Sequence, residues 1–165
     1  MIVPESEDLP TDGLITGIAG KKDFAVIRIE KDLMNSEVGF VRKVLDVIAS
    51  HGMSFEHLPS GIDTMCVVLS RKEIEGKEAE LLTEITRAVS PDNIDVVTGV
   101  SLIAVVGRGM KSAKGTASRV FTVLAKNDIN IRMIDQGSSE LNIIIGVDDA
   151  DFEKAIRSVY SEFGA

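Results

Sequence analysis

The residues best placed to do chemistry lie in two glycine-bearing turns: Glu30-Lys31-Asp32-Leu33-Met34-Asn35-Ser36 leading to Gly39, and Gly107-Arg108-Gly109-Met110-Lys111-Ser112-Ala113-Lys114 leading to Gly115. Each turn follows an apolar run of strand length and feeds a segment with helical periodicity. Backbone N–H groups left unpaired at a helix start, with the positive end of the helix dipole, favour a carboxylate there. The dipole alone contributes about 0.3–1 kcal/mol, so a small anion needs side-chain partners as well. The first turn has them: Asn35 and Ser36 stand at the helix entrance, and Ser54, Glu56, Ser60, Asp63 and Thr64 border the following strands and their hairpin. N–H donors at one end and carboxylates at the other suit a zwitterionic amino acid. In the second copy Arg132 replaces Glu56 and Ile134 replaces Leu58, so that turn should not take the same ligand. It also lacks the third glycine of a dinucleotide fingerprint and the spacing of a P-loop.

Nothing comparable exists for catalysis. His51 and His57 read as a helix-end residue and a strand residue, and no serine or cysteine sits in a nucleophile elbow. Glu73, Glu75, Glu78, Glu80 and Glu84 read as the solvated face of a helix, and Asp148-Asp149-Asp151 as an acid-rich helix start rather than a cation site. No catalytic residue, metal or cofactor is expected, and the chain by itself reads as non-catalytic. Its 18 basic and 26 acidic residues give a net charge of −8, and with six Phe, one Tyr and no Trp it lacks the basic or stacking surface of a nucleic-acid binder. Cys66, the one cysteine, lies in an apolar run and is expected in the core, which fits a reducing compartment. No apolar run reaches the ~20 residues of a membrane span, and the start has no secretion-signal order, so a cytoplasmic location is expected.

The elements that must carry the turns repeat. Moving the first half onto the second by the interval between Gly39 and Gly115 also superposes Met34 on Met110, Ser36 on Ser112, Val44 on Val120, Ala49 on Ala125 and Gly61 on Gly137. A tandem duplication follows. Each copy opens with a strand run, Phe24 to Ile29 or Leu102 to Val106, and continues into a helix with apolar residues three and four apart. Two strand runs joined by a hairpin follow, Ser54 to Leu58 with Met65 to Leu69, and Asn130 to Ile134 with Leu141 to Ile145, before a second amphipathic helix. The first copy continues into Asp95-Val96-Val97-Thr98-Gly99, a fourth strand, whereas the second stops at Phe163-Gly164-Ala165. The segment Leu14-Ile15-Thr16-Gly17-Ile18-Ala19-Gly20 repeats the apolar-Thr-Gly pattern and can supply the missing strand. The expected fold is α+β, two ferredoxin-like βαββαβ units with the first, residues 23–99, inserted into a second made of 13–21 plus 100–165. Each unit alone, at about 75 residues, would be marginal, so the units are expected to pack on each other or on a partner.

At these residues the chain resembles the paired ACT domains of the regulatory region of aspartate kinase, most specifically in Leu14 to Ala19, Met34-Asn35-Ser36-Glu37-Val38-Gly39-Phe40, Phe55-Glu56-His57-Leu58-Pro59-Ser60-Gly61-Ile62-Asp63, and Val106 to Ser112. The third stretch is similar to the lysine-sensitive monofunctional enzymes. In that family the parent enzyme phosphorylates aspartate with ATP on the way to lysine, threonine and methionine, and end-product amino acids bind ACT units at a subunit interface to inhibit it. The resemblance implies an effector carboxylate at the N–H groups near Gly39, Phe40 and Val41, with Met34 and Ser36 in the turn. Its amines would face Ser54, Glu56 and the hairpin from Ser60 through Asp63 to Thr64. The matching stretches also bring Asn35, Val38 and Phe55 into the implied site. Lysine is the implied effector and threonine the second candidate. The implied partners are a second copy, forming a homodimer, and the kinase domain or catalytic subunit. The second unit is assigned to pairing and scaffold. Residues 1–12 resemble the joint to the absent kinase domain, so an excised region is favoured over a natural regulatory subunit. The alternative is an ACT-type assembly module with no ligand of its own.

Overall fold

The computed structural model describes residues 14–164, and residues 1–12, expected as a linker, lie outside them. The chain divides into two compact units, residues 23–99 and the segments on either side of it.

The unit of residues 23–99 holds the second part of strand β1 (Gly17–Glu30), helix α1 (Phe40–Ser50), the short β2 (Phe55–His57), β3 (Thr64–Ser70), a single turn α2 (Arg71–Ile74), helix α3 (Glu78–Val89) and the first part of β4 (Asn93–Val106). Its strands run in the order β2-β3-β1-β4. β1 and β3 are antiparallel, with Phe24 opposite Ser70 and Glu30 opposite Thr64. Strand alternation puts Ala25, Ile27 and Ile29 on one face of β1 beside Met65, Val67 and Leu69 of β3. Against them pack Phe40, Val44 and Ile48 of α1 and Leu81, Ile85 and Val89 of α3, each set recurring every fourth residue as a buried helix stripe requires.

The other unit repeats the plan with the first part of β1, the second part of β4, α4 (Thr116–Lys126), β5 (Ile131–Asp135), β6 (Asn142–Asp148) and α5 (Phe152–Phe163), in the strand order β1-β4-β6-β5. Its core joins Ile103 and Val105 to Ile143, Ile145 and Val147, covered by Val120 and Leu124 of α4 and Ala155, Val159 and Phe163 of α5. The segment from Leu14 supplies the fourth strand: the Thr16 N–H donates to Val106 O at 2.8 Å, and Ile15 is buried in this core. One ferredoxin-like unit is therefore inserted in the other.

Several details differ from the expectation. The segments read as separate strands at Leu14 to Gly20 and Phe24 to Ile29 form one strand from Gly17, and Asp95 to Gly99 and Leu102 to Val106 likewise merge into β4. Each long strand carries a residue of positive φ where the units divide, Asp23 (φ 69°) and Gly99 (φ 75°). Both turns wind into 3-10 helix, at Met34–Ser36 and Arg108–Ser112. β2 shrinks to three residues because a register shift between Phe55 and His57 interrupts its pairing with β3. Cys66 is half-buried opposite Arg28 rather than in the core, and burial pushes its thiol pKa up. Glu73 and Glu84 are not bare solvated carboxylates, since Glu73 accepts from the Ser54 N–H at 3.1 Å and Glu84 meets His51 Nε2 at 3.0 Å.

Candidate functional site

The expected site residues all lie in the unit of residues 23–99, which sorts them into two groups. The first gathers where β1 ends. Leu33 adopts a left-handed conformation (φ 58°) and starts the short 3-10 turn, after which Gly39 (φ 81°) turns the chain into α1. No side chain caps α1. The Phe40 N–H donates to Glu37 O at 3.2 Å and the Lys43 N–H to Gly39 O at 3.0 Å, which leaves the N–H groups of Val41 and Arg42 without an acceptor among the described residues. The helix start is exposed at Gly39 and Val41, and Val38 is 96% exposed.

The hairpin after β2 is tied to this turn by three hydrogen bonds. The Lys31 N–H donates to Asp63 O at 2.9 Å, the Asn35 N–H to Ile62 O at 3.2 Å and the Leu33 N–H to Asp63 Oδ1 at 3.0 Å. Within the hairpin Ser60 bridges Met65, and the Gly61 N–H donates to Thr64 O at 2.7 Å. Asn35, Ser36, Ser60, Asp63 and Thr64 thus belong to a turn and a hairpin bonded to each other just ahead of an open helix N-terminus, with Leu33 and Ile62 exposed.

Met34 and Phe40 are buried in the core at 5% and 2% exposure, so neither side chain reaches a ligand at the turn. Their apolar bulk is what anchors the turn against the sheet. Phe40 cannot offer a free N–H either, because Glu37 O holds it. Asp63 also spends one carboxylate oxygen on Leu33, which makes it a strut of the loop.

The second group sits elsewhere. Ser54 and Phe55 line an open groove of about 380 Å³ with Leu45, Ile48, Ala49 and Met53, residues of the C-terminal half of α1 and the chain just after it. Phe55 stands opposite Leu69, five residues along β3 from Thr64, which is about 16 Å at the rise of a strand. Glu56, next along β2, is exposed. Helix α1 itself spans about 16 Å between its ends. Ser54, Phe55 and Glu56 therefore do not share one pocket with Gly39 and Val41 in a single copy.

Sequence reasoning passed over a charged cluster beside the turn. Glu37 Oε2 meets Lys31 Nζ at 2.6 Å and Glu37 Oε1 meets Lys43 Nζ at 2.8 Å. The two ammonium groups hold the Glu37 carboxyl below the ordinary glutamate range. Lys31 also donates from Nζ to Val89 O at 2.6 Å and lies 5.5 Å from the centre of the Phe40 ring. The signal was present as an asymmetry between the copies: Gly107 stands where the first has Lys31, and Ala113 where it has Glu37.

Residues 103–163 match the model of the ACT domain. Aspartokinase 3 of Bacillus subtilis is 38% identical over 156 residues, covering 94% of this chain and 34% of the relative. The crystal structure of Clostridium acetobutylicum aspartate kinase, described as an allosteric enzyme, superposes with a TM-score of 0.87 at 50% identity, over 96% of this chain and 36% of that one. Two more distant structures share the fold. The regulatory subunit of Thermus flavus aspartate kinase is 21% identical, covering 91% of this chain and 99% of that one, with a TM-score of 0.77. E. coli aspartokinase III in complex with lysine and aspartate is 24% identical, covering 96% of this chain and 34% of that one, with a TM-score of 0.74. Residues 103–163 thus carry an ACT domain, and the unit of residues 23–99 repeats the same order of strands and helices. The chain is similar to a stretch of aspartate kinases and spans about a third of the length of the B. subtilis and C. acetobutylicum enzymes. No helix among its described residues is long and apolar enough to cross a membrane.

Proposed function

We propose that this chain is the regulatory region of an aspartate kinase and that its unit of residues 23–99 binds lysine, with threonine the second candidate, to inhibit aspartate phosphorylation in the parent enzyme. The observation that carries the reading is the uncapped, exposed start of α1, whose Val41 and Arg42 N–H groups are free to take the effector's carboxylate just after a turn bonded to a polar hairpin. The other unit acts in pairing and as scaffold, and residues 1–12 join the region to the kinase domain. Lysine is favoured over a neutral amino acid because Glu56 offers a carboxylate to a second amine. Lysine is also bound, together with aspartate, in the E. coli aspartokinase III structure.

Ser54, Phe55 and Glu56 follow the far end of α1, which is about 16 Å long, more than one extended amino acid spans. A homodimer resolves this, with the turn of one copy facing Ser54, Phe55 and Glu56 of the other. The exposed apolar side chains Leu33, Val38 and Ile62 support such pairing. Inhibition would be a population shift: lysine binds the paired, inactive arrangement more tightly and draws the enzyme into it.

Thermal unfolding with each protein amino acid tests the proposal. A ligand at 100 times its dissociation constant adds about 2.7 kcal/mol of stability, a clear rise in melting temperature. A dimeric sample that responds to neither lysine nor threonine, alone or together, would leave the assembly-module reading in its place.

A further inference from the structure

We propose that Lys31 and Asp92 are positioning residues that couple the effector turn to the junction between α3 and β4, so that occupancy of the turn is reported to the strand by which the chain leaves this unit. The inference rests on the proposal that the turn binds the effector. Three contacts build the link. Lys31 Nζ donates to Val89 O, the final residue of α3, at 2.6 Å, where an ammonium group also complements the negative end of the helix dipole. The Asp32 N–H donates to Asp92 Oδ2 at 2.7 Å. The Asp92 N–H returns a bond to Glu30 O at 2.9 Å.

The same lysine reaches the effector side. Its Nζ meets Glu37 Oε2 at 2.6 Å, and Glu37 Oε1 meets Lys43 Nζ on α1 at 2.8 Å. Glu37 also accepts the Phe40 N–H through its backbone oxygen at 3.2 Å, so the glutamate is fixed to the helix start that presents Val41 and Arg42. One ammonium group thus holds the α3 terminus with one bond and the α1 entrance with another. A ligand that orders residues 37–42 fixes Glu37, and Glu37 in turn fixes the lysine that holds Val89. The junction is poised to respond, because Ser90 takes a left-handed conformation (φ 45°) and Pro91 follows it immediately, before β4 begins at Asn93. The second unit lacks the device, since Gly107 and Ala113 stand where Lys31 and Glu37 would be.

Amide hydrogen exchange tests this in the whole chain with and without L-lysine, using the amides of β3 as an internal reference for global stability. Without ligand, Lys31→Met and Asp92→Ala should each speed exchange at residues 35–42 by about fivefold or more, the lower range of an allosteric coupling. Lys31→Arg and Asp92→Asn, which keep a donor and an acceptor, should restore it. With L-lysine the wild type should gain protection both in the turn and at residues 89–93, while Lys31→Met gains it only in the turn. Turn exchange within twofold of wild type in both ligand-free variants overturns the coupling. So does lysine protection confined to the turn in the wild type, which leaves the effector site standing. Protection in neither place removes the effector site and the coupling role together.

Discussion

Arg28 on β1 and Asp95 on β4 meet through two parallel hydrogen bonds, Nε to Oδ1 at 2.8 Å and Nη2 to Oδ2, within the unit of residues 23–99. The guanidinium holds the Asp95 carboxyl below the ordinary aspartate range, and the carboxylate raises Arg28 in return. A depressed carboxyl stabilises the fold above its unfolded pKa, near 4, and that contribution is lost as pH falls through the folded value. Both side chains are more than a third exposed, so solvent screening limits the pair to about 1 kcal/mol or less. Asp95→Asn should therefore lower stability slightly at pH 7 and flatten the acid limb of the stability curve below pH 4. Chemical denaturation of both proteins from pH 2 to pH 7 checks it; parallel curves would assign the pair no role.

Gly107 and Gly39 should respond very differently to alanine. A Cβ at Gly107 would overlap the Leu14 carbonyl oxygen and come within 2.9 Å of Ile15 Cα, both backbone atoms of the added fourth strand. Gly107→Ala should cost about 3 kcal/mol or more. At Gly39 there is open space but a φ of 81°, so Gly39→Ala should cost about 1–2 kcal/mol through the left-handed conformation alone. Urea midpoints of the two variants give the order, and a costlier Gly39→Ala would contradict it.

Glu56→Ala should abolish the thermal response to lysine while leaving the melting temperature of the free protein within a few degrees, since the side chain is exposed on a three-residue edge strand. An unchanged lysine response would place the amine contact elsewhere.

Glu37 offers a spectroscopic readout. Its carboxyl carbon should titrate below the ordinary glutamate value near 4.3 in NMR, because Lys31 and Lys43 favour its charged form. Replacing both lysines with methionine should return the midpoint towards that value. A wild-type midpoint already at the ordinary value would show that the cluster is open in solution.

Much of the fold was legible because periodicity and repetition are strong signals. The stripes Phe40-Val44-Ile48 and Val120-Leu124 fall in both helices, and the Thr-Gly pattern at Thr16 identified the strand that bonds Val106. The fusion of neighbouring runs into β1 and β4 was not legible, since Asp23 and Gly99 look like ordinary turn residues. For the site, the polar hairpin and the glycine-led helix start could be read from composition. That Met34 faces inward could not, because an apolar residue in a turn looks alike whether it meets a ligand or the core. The separation of Phe55 from the turn depends on strand register, which the bulge in β2 obscures. The Lys31 contact with Val89 joins residues far apart in the chain, and no local pattern announces it.

The insertion of one unit in the other has a practical corollary. β1 and β4 are neighbours, and the bonds from Thr16 to Val106 and from Asp92 to Glu30 show them running antiparallel, so residues 23–99 enter and leave on adjacent strands. A segment with that geometry is a removable cartridge. Joining Lys22 to Val100 through a two-residue Asn-Gly hairpin turn would close the outer unit on itself, and a sensor of different specificity could be spliced into the same two strands.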